Sequence, residues 1–361
     1  MTQKGNQEQL KNFNRRSVLN YIRKKKTATK AGLASVTGLT FMAIKKIIEE
    51  LESLDLVRCD EMEGGNVGRK AVSYAINENY RYTIGIHINK FVTSIAVLNL
   101  CGEVMEVNRF SMPKENQSQS AFMELVIANV REVVRRSGIA QEMFLGIGIG
   151  VPGPVDTVNG VVLTPPNIPV LKYLPLKEIL EERFGCSVFV QKDTNVIAFG
   201  EYWCGDDKDT NDLTYIDVDM GIGSGSIIDG KMNVGANRIA GEFGHITLDL
   251  NGPLCNCGNR GCLEQYTSAT GIARLARRYL AEHDTPTVLR GEHISAKTVF
   301  DAVKAGDAAA KEIAGQFGDY LGKGLAMVSA VVNPEIFVIG GGVSRAGDIL
   351  LSYIEPYFRK Y

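Results

Sequence analysis

The sequence predicts an α/β protein in which a winged helix-turn-helix precedes two related α/β lobes. Three observations predict it: helix-turn-helix spacing near the N-terminus, a change to strand patterns at residue 81, and a second strand and helix pattern after residue 212. Of the residues, 45% are hydrophobic and 22% are charged, a composition typical of globular proteins. A length of 361 residues is enough for two or three domains. We expect domains at 1–80, 81–200 and 201–361.

The N-terminal segment has the apolar period of helices. It predicts one helix over 9–25, a second over 29–36, a turn containing Gly38, and a third helix over 40–54 with Thr40 as its N-cap. The expected buried face of the third helix comprises Ile44, Ile47, Ile48, Leu51 and Leu54. This spacing is typical of a DNA-binding helix-turn-helix.

Two short apolar segments, 56–58 and 71–76, flank a glycine-rich basic stretch and predict a β-wing. Because the first turn of a recognition helix meets base edges, the candidate DNA-binding residues are Thr40, Phe41, Met42, Lys45 and the wing residue Arg69. Residues 1–82 hold 15 Lys and Arg against 9 Asp and Glu, a charge of +6, which leaves −7 for the rest. Two alternatives stay open: the basic run 23–26 is a solvated helix end, and the helices form a cap that only packs on the body.

The body pattern begins with predicted strands at 82–88, 91–100 and 104–110, a helix at 120–136 and a strand at 145–151. Weaker counterparts at 213–218, 225–228 and 335–339 indicate a second, related lobe. A cleft between two lobes is the expected ligand site.

A compact metal motif follows in the second lobe. His245, Cys255, Cys257 and Cys262 can supply the three sulfurs and one nitrogen of a structural zinc, with no open position for catalysis. The alternative is a set of inert buried cysteines, but the Cys-x-Cys-x4-Cys spacing among Gly and Asn is typical of a loop. The other cysteines do not indicate a disulfide framework. We therefore predict zinc as the cofactor.

Several motifs together resemble the signature of the ROK family, which comprises repressors, open reading frames and sugar kinases. They are Gly241-Glu242-Phe243-Gly244-His245, the cysteine motif ending at Glu264, Pro152-Gly153-Pro154-Val155 and Pro166-Asn167-Ile168-Pro169. With a winged helix in front, the chain resembles the repressor branch and is similar to xylose and N-acetylglucosamine repressors. The resemblance implies an actin-like ATPase fold holding a sugar between its lobes.

Transferred to this sequence, the resemblance implies sugar contacts from Asn167, Asp193, Glu242, His245 and Glu264. The His245 ring is expected to bind zinc through its other nitrogen. Paired hydrogen bonds from carboxylates and amides suit a polyol ligand. Asp193 also fits a helix N-cap, and the two roles are compatible.

The resemblance also allows the phosphate-binding loops of the family's kinases to be compared with this sequence. Family kinases carry Asp-x-Gly-Gly-Thr in a first phosphate loop, where this chain has 87–91, His-Ile-Asn-Lys-Phe. A second loop, Gly-Thr-Gly in kinases, matches Asp219-Met220-Gly221, although the glycines 340–342 remain. We therefore expect no kinase activity and no catalytic residue. The alternative is a sugar kinase with Asp193 as its general base.

These observations predict a sugar-responsive repressor of carbohydrate-utilisation genes. The expected partners are double-stranded operator DNA and a monosaccharide effector, and the expected assembly is a homodimer or a dimer of dimers. No apolar stretch reaches about 18 residues and the N-terminus is polar, so we expect no membrane partner and a cytoplasmic location.

A third possible function, besides the repressor and the sugar kinase, is a scaffold whose body recognises a transporter or an enzyme. The family continues beyond its last helix with a strand and a helix, so we expect a shorter C-terminal closure here.

Overall fold

The computed structural model describes residues 3–60, 72–112, 118–165, 168–206, 210–291 and 293–361, with side chains from residue 8 onward. The chain has a mixed α/β fold with two compact units. The first comprises Met1–Asp193 and Trp203–Asp209, and the second comprises Thr194–Tyr202 and Thr210–Tyr361. No single helix in the described ranges is long and apolar enough to cross a membrane. Lys30–Thr37 and Phe41–Ser53 meet that test only as a pair, and they are bent by 117° at their break.

The described residues up to 76, which we call the head, begin the first unit. Their elements are α1 (Gln3–Lys25), β1 (Thr27–Thr29), α2 (Lys30–Thr37), α3 (Phe41–Ser53), β2 (Val57–Asp60) and β3 (Ser73–Ile76). The strands form an antiparallel sheet in the order β1-β3-β2. The head has a hydrophobic core of its own, in which Ile22, Ile44 and Ile48 are fully buried.

The helix boundaries follow from local hydrogen bonds. The Thr40 hydroxyl accepts from the amide of Ala43 at 3.2 Å, so Thr40 is the N-cap of α3, as the sequence predicts. Gly38 ends α2 with a φ of 68°, a conformation that glycine adopts without strain. The prediction for Leu54 is wrong: it follows α3 as the C-cap and is 51% exposed, because the chain leaves the buried face there. Strand β1 was not predicted, and Arg69 lies outside the described residues.

The rest of the first unit is a mixed sheet with a helical cover. Its elements are β4 (Tyr82–Ile88), β5 (Val92–Asn99), β6 (Val104–Ser111), α4 (Gln119–Ser137), β7 (Phe144–Val151), β8 (Val155–Asp156), β9 (Val161–Val162), β10 (Leu174–Pro175), α5 (Leu176–Phe184) and β11 (Ser187–Lys192). The main sheet has the order β11-β7-β4-β5-β6, and β8 to β10 pair separately. Buried Phe122 and Val126 of α4 belong to the same core as Ile86 of β4 and Ile149 of β7.

Helix α6 (Asp193–Cys204) contributes to both units. Its first residue and its last two belong to the first unit, and the residues between them belong to the second.

The second unit packs helices on a smaller sheet. Its further elements are β12 (Leu213–Val218), β13 (Ile222–Ile228), β14 (Lys231–Asn233), α7 (Glu264–Thr267), α8 (Ala269–Glu282), α9 (Ala296–Lys304), α10 (Ala308–Val332), β15 (Ile336–Gly340) and α11 (Asp348–Lys360). The sheet order is β14-β13-β12-β15, with β12 and β15 parallel. Phe317 and Leu321 of α10 are fully buried in its core.

Candidate functional site

The turn that carries His245 lies directly on strand β13. A Cβ atom on Gly241, whose φ is +85°, would lie 2.4 Å from the carbonyl oxygen of Ser224. A Cβ atom on Gly244 would lie 2.3 Å from the carbonyl oxygen of Ile222. Real Cβ atoms do not approach so closely, so only glycine at both positions lets the turn pack here. The two glycines thereby fix where His245 begins its side chain.

The cysteine loop is held to this turn by backbone hydrogen bonds. The amide of Leu263 donates to the carbonyl of Ile246 at 2.9 Å, which brings the end of the loop beside the residue after His245. Within the loop, the amide of Cys255 donates to the carbonyl of Asn259 at 2.8 Å. These bonds bring ligand candidates from separate parts of the sequence to one place.

His245, Cys255, Cys257 and Cys262 form a cluster that could hold a metal ion. Their candidate ligand atoms all lie within 4.8 Å of one another. The Cys255 sulfur is 3.7 Å from His245 Nδ1, and the sulfurs of Cys257 and Cys262 are 3.6 Å apart. Tetrahedral ligands at about 2.0–2.3 Å from one ion lie about 3.3–3.8 Å apart, so these two pairs fit a single ion. Cys255 and Cys262 are buried, whereas Cys257 is exposed.

The cysteine thiols differ in acidity. Burial, reinforced by hydrogen bonds with Cys257 and Cys255, raises the pKa of Cys262 to about 12. Burial also raises the pKa of Cys257, but hydrogen bonds from the backbone of Asn259 and from the neighbouring thiols outweigh it, so the net pKa is lowered. Without a metal, Cys257 is therefore the easier of the two to deprotonate.

Two of the predicted sugar residues lie close to the metal cluster in the second unit. Glu242 Oε2 is 3.9 Å from Nε2 of His245, the ring nitrogen opposite the one that faces Cys255. Glu264 is the first residue of α7, and its Oε2 accepts from the amide of Ile222 at 3.0 Å. Asp193 is the first residue of α6, in the first unit. Asn167 lies outside the described residues.

The loop at residues 87–91, which corresponds to the first phosphate loop of the kinases, is closed by its own hydrogen bonds. The side-chain oxygen of Asn89 accepts from the amides of Phe91 and Val92, each at 2.8 Å. Backbone amides are the groups that phosphate-binding loops present to a nucleotide. In this chain the Asn89 side chain occupies two of them.

The loop at residues 219–221, which corresponds to the second phosphate loop of the kinases, carries the carboxylate of Asp219. Asp219 Oδ1 accepts from the amide of Met220 at 2.8 Å, and a Cβ atom on Gly342 would lie 3.1 Å from the same oxygen. The carboxylate of Asp219 therefore lies against the glycine turn that follows β15.

The first turn of α3 projects two apolar side chains into solvent. Phe41 is 53% and Met42 is 68% exposed, although both are large and apolar. One turn later, Lys45 is exposed and forms an ion pair with Glu49 at 3.7 Å. The exposed side of this helix therefore combines apolar and basic groups.

Ion pairs hold α1 to α3. Arg15 Nε donates to Glu50 Oε2 at 3.1 Å, and the Nη2 of Arg15 donates to the other oxygen. The Lys11 ammonium lies 3.4 Å from Glu50 Oε1. The hydrogen bond from Arg15 lowers the pKa of Glu50, so this carboxylate stays charged to lower pH than usual.

One residue of the basic run 23–26, Arg23, has a buried position that the sequence did not predict. Arg23 is only 9% exposed, and its guanidinium carbon lies 3.9 Å from the centroid of the Trp203 ring. It is therefore not part of a solvated helix end, and its guanidinium faces the Trp203 ring. The 180 positions between the partners explain why no sequence spacing could reveal the contact.

Known proteins resemble this chain over most of its length. A xylose repressor of Caldicellulosiruptor bescii is 28% identical over 354 residues, 97% of this chain and 88% of that protein. A glucokinase of Halalkalibacterium halodurans is 36% identical over 288 residues, 78% of this chain and 86% of that protein. A crystal structure of a ROK family transcriptional regulator, homologous to the E. coli MLC protein, superposes with a TM-score of 0.79 at 28% identity, covering 97% of this chain and 88% of that one.

The xylose repressor and the regulator structure both extend over nearly the whole chain, whereas the glucokinase match covers less of it. The family model described as ROK family matches residues 83–361, which include the mixed sheet except Tyr82, helix α6 and the whole second unit. With this match over more than half of its length, the chain belongs to the ROK family.

Proposed function

We propose that this protein is a sugar-responsive transcriptional regulator, a repressor of carbohydrate-utilisation genes. The observation that carries the proposal is the solvent-exposed first turn of α3, with Phe41, Met42 and Lys45, in a separately packed head. The similarity to a xylose repressor and to a regulator structure over 97% of the chain supports it.

Residues 1–80, which include the head, are proposed to form a winged helix-turn-helix. In this reading α3 is the recognition helix, with Thr40, Phe41, Met42 and Lys45 at the major groove and Arg69 in the wing. The turn at Gly38, the cap at Thr40 and the antiparallel strands support the assignment. Because palindromic operators suit two-fold symmetric readers, we propose a homodimer or a dimer of dimers.

The body is proposed to consist of two lobes, 81–200 and 201–361, that bind a monosaccharide. The proposed sugar residues are Asn167, Asp193, Glu242, His245 and Glu264. The hydrogen bond from the Ile222 amide fixes one oxygen of Glu264, so the carboxylate is held in one orientation. A fixed orientation is what discrimination between hydroxyl positions requires.

The metal of the cysteine cluster is proposed to be structural zinc. Three cysteine sulfurs with one imidazole nitrogen are a common zinc ligand set, and this set leaves no coordination position for a substrate. A bound zinc would hold the turn at His245 and the loop before Glu264 together. Its contribution is then to position Glu242 and Glu264, and not to catalyse a reaction.

We further propose that the chain does not phosphorylate the sugar. The Asn89 side chain takes up the amides of Phe91 and Val92, and Asp219 places negative charge beside the turn at Gly342. Two like charges about 4 Å apart repel by about 1 kcal/mol even in water. Phosphoryl transfer depends on positioning and charge neutralisation, so both features oppose it. The glucokinase similarity is the observation that favours the alternative, a kinase with Asp193 as base.

One experiment tests the regulator directly. The full chain is used to select its preferred DNA from a random duplex library, and binding to that DNA is then measured at fixed salt. The titration is repeated with glucose, xylose, N-acetylglucosamine and their phosphates. We expect one of them to weaken DNA binding. Failure to enrich any DNA sequence would contradict the proposal, and so would sugar binding with unchanged DNA affinity.

A further inference from the structure

The C-terminal end of α1 is attached to the C-terminal end of α6. The Arg23 guanidinium lies over the Trp203 ring, with 3.9 Å between the guanidinium carbon and the ring centroid. The Nη1 of Arg23 also donates to the backbone carbonyl of Trp203. A stacked guanidinium that also bonds a carbonyl is fixed in both distance and direction. Movement of this end of α6 therefore acts on α1 directly.

The first turn of α6, at the other end of the helix, is packed just as closely on strand β13. A Cβ atom on Gly225 would lie 2.5 Å from the carbonyl oxygen of Thr194, and one on Gly223 would lie 2.6 Å from the Thr194 side chain. Thr194 and its neighbour Asn195 are buried. The helix backbone rests on a strand that has no side chains at these positions. Helix α6 and β13 therefore move as one piece.

The same helix begins at Asp193, one of the proposed sugar residues, and β13 supports the turn of another, Glu242. Gly241, directly before Glu242, packs on Ser224 of β13. A single α-helix of 12 residues thus carries a proposed sugar contact at one end and the head contact at the other.

We propose that α6 transmits sugar binding to the head through the contact between Arg23 and Trp203. This inference rests on the proposed function, because it specifies how the sugar site regulates the DNA-binding head. When a sugar binds to Asp193 and to Glu242, α6 shifts together with β13. The Arg23 contact converts that shift into a movement of α1 and, through the Arg15 and Glu50 ion pair, of α3.

Space beside the contact permits such a movement. A cavity of about 370 Å³ adjoins the stacked pair and is also lined by Glu78, Cys101 and Glu103. Close-packed cores resist displacement, whereas a side chain beside a cavity can shift without displacing its neighbours. The Trp203 ring lies at this open place and not within a close-packed core.

The test measures how strongly sugar and DNA binding are coupled in the full chain. Operator affinity is determined with and without the sugars of the panel above, in the wild type, in Arg23→Gln and in Trp203→Ala. Calorimetry gives the sugar affinity of each protein. Arg81→Gln is the matched control, because Arg81 also stacks on an aromatic ring, that of Tyr80, at 4.2 Å, and Tyr80 is not part of α6.

We expect a wild-type response of roughly 5- to 150-fold that falls below about twofold in both variants. Sugar affinity and sugar-free operator affinity should stay within about threefold, and the double variant should behave like either single one. Arg23→Lys, which keeps the charge but loses the planar stack, should retain part of the response. If Arg23→Gln does not fold, Trp203→Ala decides the question alone.

Trp203 is the only tryptophan of the sequence, so its fluorescence reports on this contact. We expect the emission of the wild type to change when the sugar binds. Unchanged emission, or variants that respond to sugar as the wild type does, would overturn the inference. A wild type that binds none of the sugars, or binds one without a change in operator affinity, would instead overturn the proposed function and this inference with it. The two failures are distinguishable because the second appears without any substitution.

Discussion

The Nε2 atom of His245 lies 3.9 Å from a carboxylate oxygen of Glu242, while the Nδ1 atom of the same ring lies 3.7 Å from the sulfur of Cys255. One imidazole thus borders both the cysteine cluster and a proposed sugar residue. When one ring nitrogen binds a metal, the other is restricted in protonation and direction. Disturbing the cluster should therefore change the environment of Glu242.

The first prediction concerns metal content. Protein purified without added metal should contain about one zinc per chain, and Cys262→Ser should remove it and lower both thermal stability and sugar affinity, because metal binding contributes to folding. Cys257→Ser should also lose metal, with a smaller effect on folding because Cys257 is exposed. Elemental analysis and calorimetry check this, with Cys186→Ser as the control outside the cluster. A metal-free wild type that binds sugar fully would contradict the assignment.

The second prediction concerns the response to sugar. Glu242→Gln should abolish the effect of sugar on operator binding, a loss of roughly 5- to 150-fold, because the amide removes the negative charge and replaces one of the two acceptor oxygens with a donor. Sugar-free operator binding should stay unchanged. The exposed Glu282 of α8 provides the matched control, Glu282→Gln. Fluorescence anisotropy with labelled operator measures all three proteins, and an unaltered response in Glu242→Gln would exclude this residue from the sugar site.

The third prediction concerns DNA binding. Lys45→Ala should weaken binding to every DNA sequence and reduce the slope of log affinity against log salt by about 1, if its ammonium neutralises one phosphate. Lys311→Ala, which removes the same charge from α10, should leave the slope unchanged. Sugar affinity should be equal in both variants. Equal salt slopes for Lys45→Ala and the wild type would show that this side chain does not meet the DNA backbone.

The fourth prediction concerns pH and the head. Because the Arg15 hydrogen bond lowers the pKa of Glu50 below its ordinary 4.5, the pair stabilises the folded head above that pH and loses its effect as pH falls through the lowered value. Glu50→Gln should thus reduce the melting temperature at pH 7, and the difference from the wild type should shrink below about pH 4.5. Glu52→Gln, on the same helix, controls for the lost charge. A difference independent of pH would mean that the charge of Glu50 contributes nothing.

The fifth prediction concerns nucleotides. Calorimetry with ATP and magnesium should show no binding at millimolar concentration, with or without saturating sugar, because Asn89 and Asp219 occupy the two loops. Sugar phosphate formation is assayed in parallel, with Asp193→Asn as the control for a general base. Product formed by the wild type and lost in Asp193→Asn would restore the kinase.

Local rules predicted much of the head and of the metal cluster. Thr40 as an N-cap and the burial of Ile44 and Ile48 depend on neighbours within one or two turns, so the sequence contains all the information required. The hydrogen bonds of Asn89 are also local. The sequence shows only that residues 87–91 lack the phosphate-loop motif of the kinases. It does not show the direction of the Asn89 side chain. Cys255 and Cys262 were recognisable because their chemistry and short spacing coincide.

Long-range packing decided the rest. Arg23 belongs to a basic run in the sequence because its neighbours are lysines, whereas its partner Trp203 lies far away in the sequence and in another element. Leu54 continues the apolar period of α3, but the helix ends before it, so the period no longer describes a common face. Strand β1 is too short to show an alternation and exists through its pairing with β3.

The hydrogen bonds of Asn89 and the position of Asp219 together determine how many substitutions a phosphate site would need. Replacing Asn89 alone would free the amides of Phe91 and Val92 but leave Asp219 beside Gly342, and replacing Asp219 alone would leave those amides occupied. Neither single change would free both loops, so a phosphate site would require at least the two substitutions together. Under the proposed function, the two residues are independent obstacles to nucleotide binding, one in each loop.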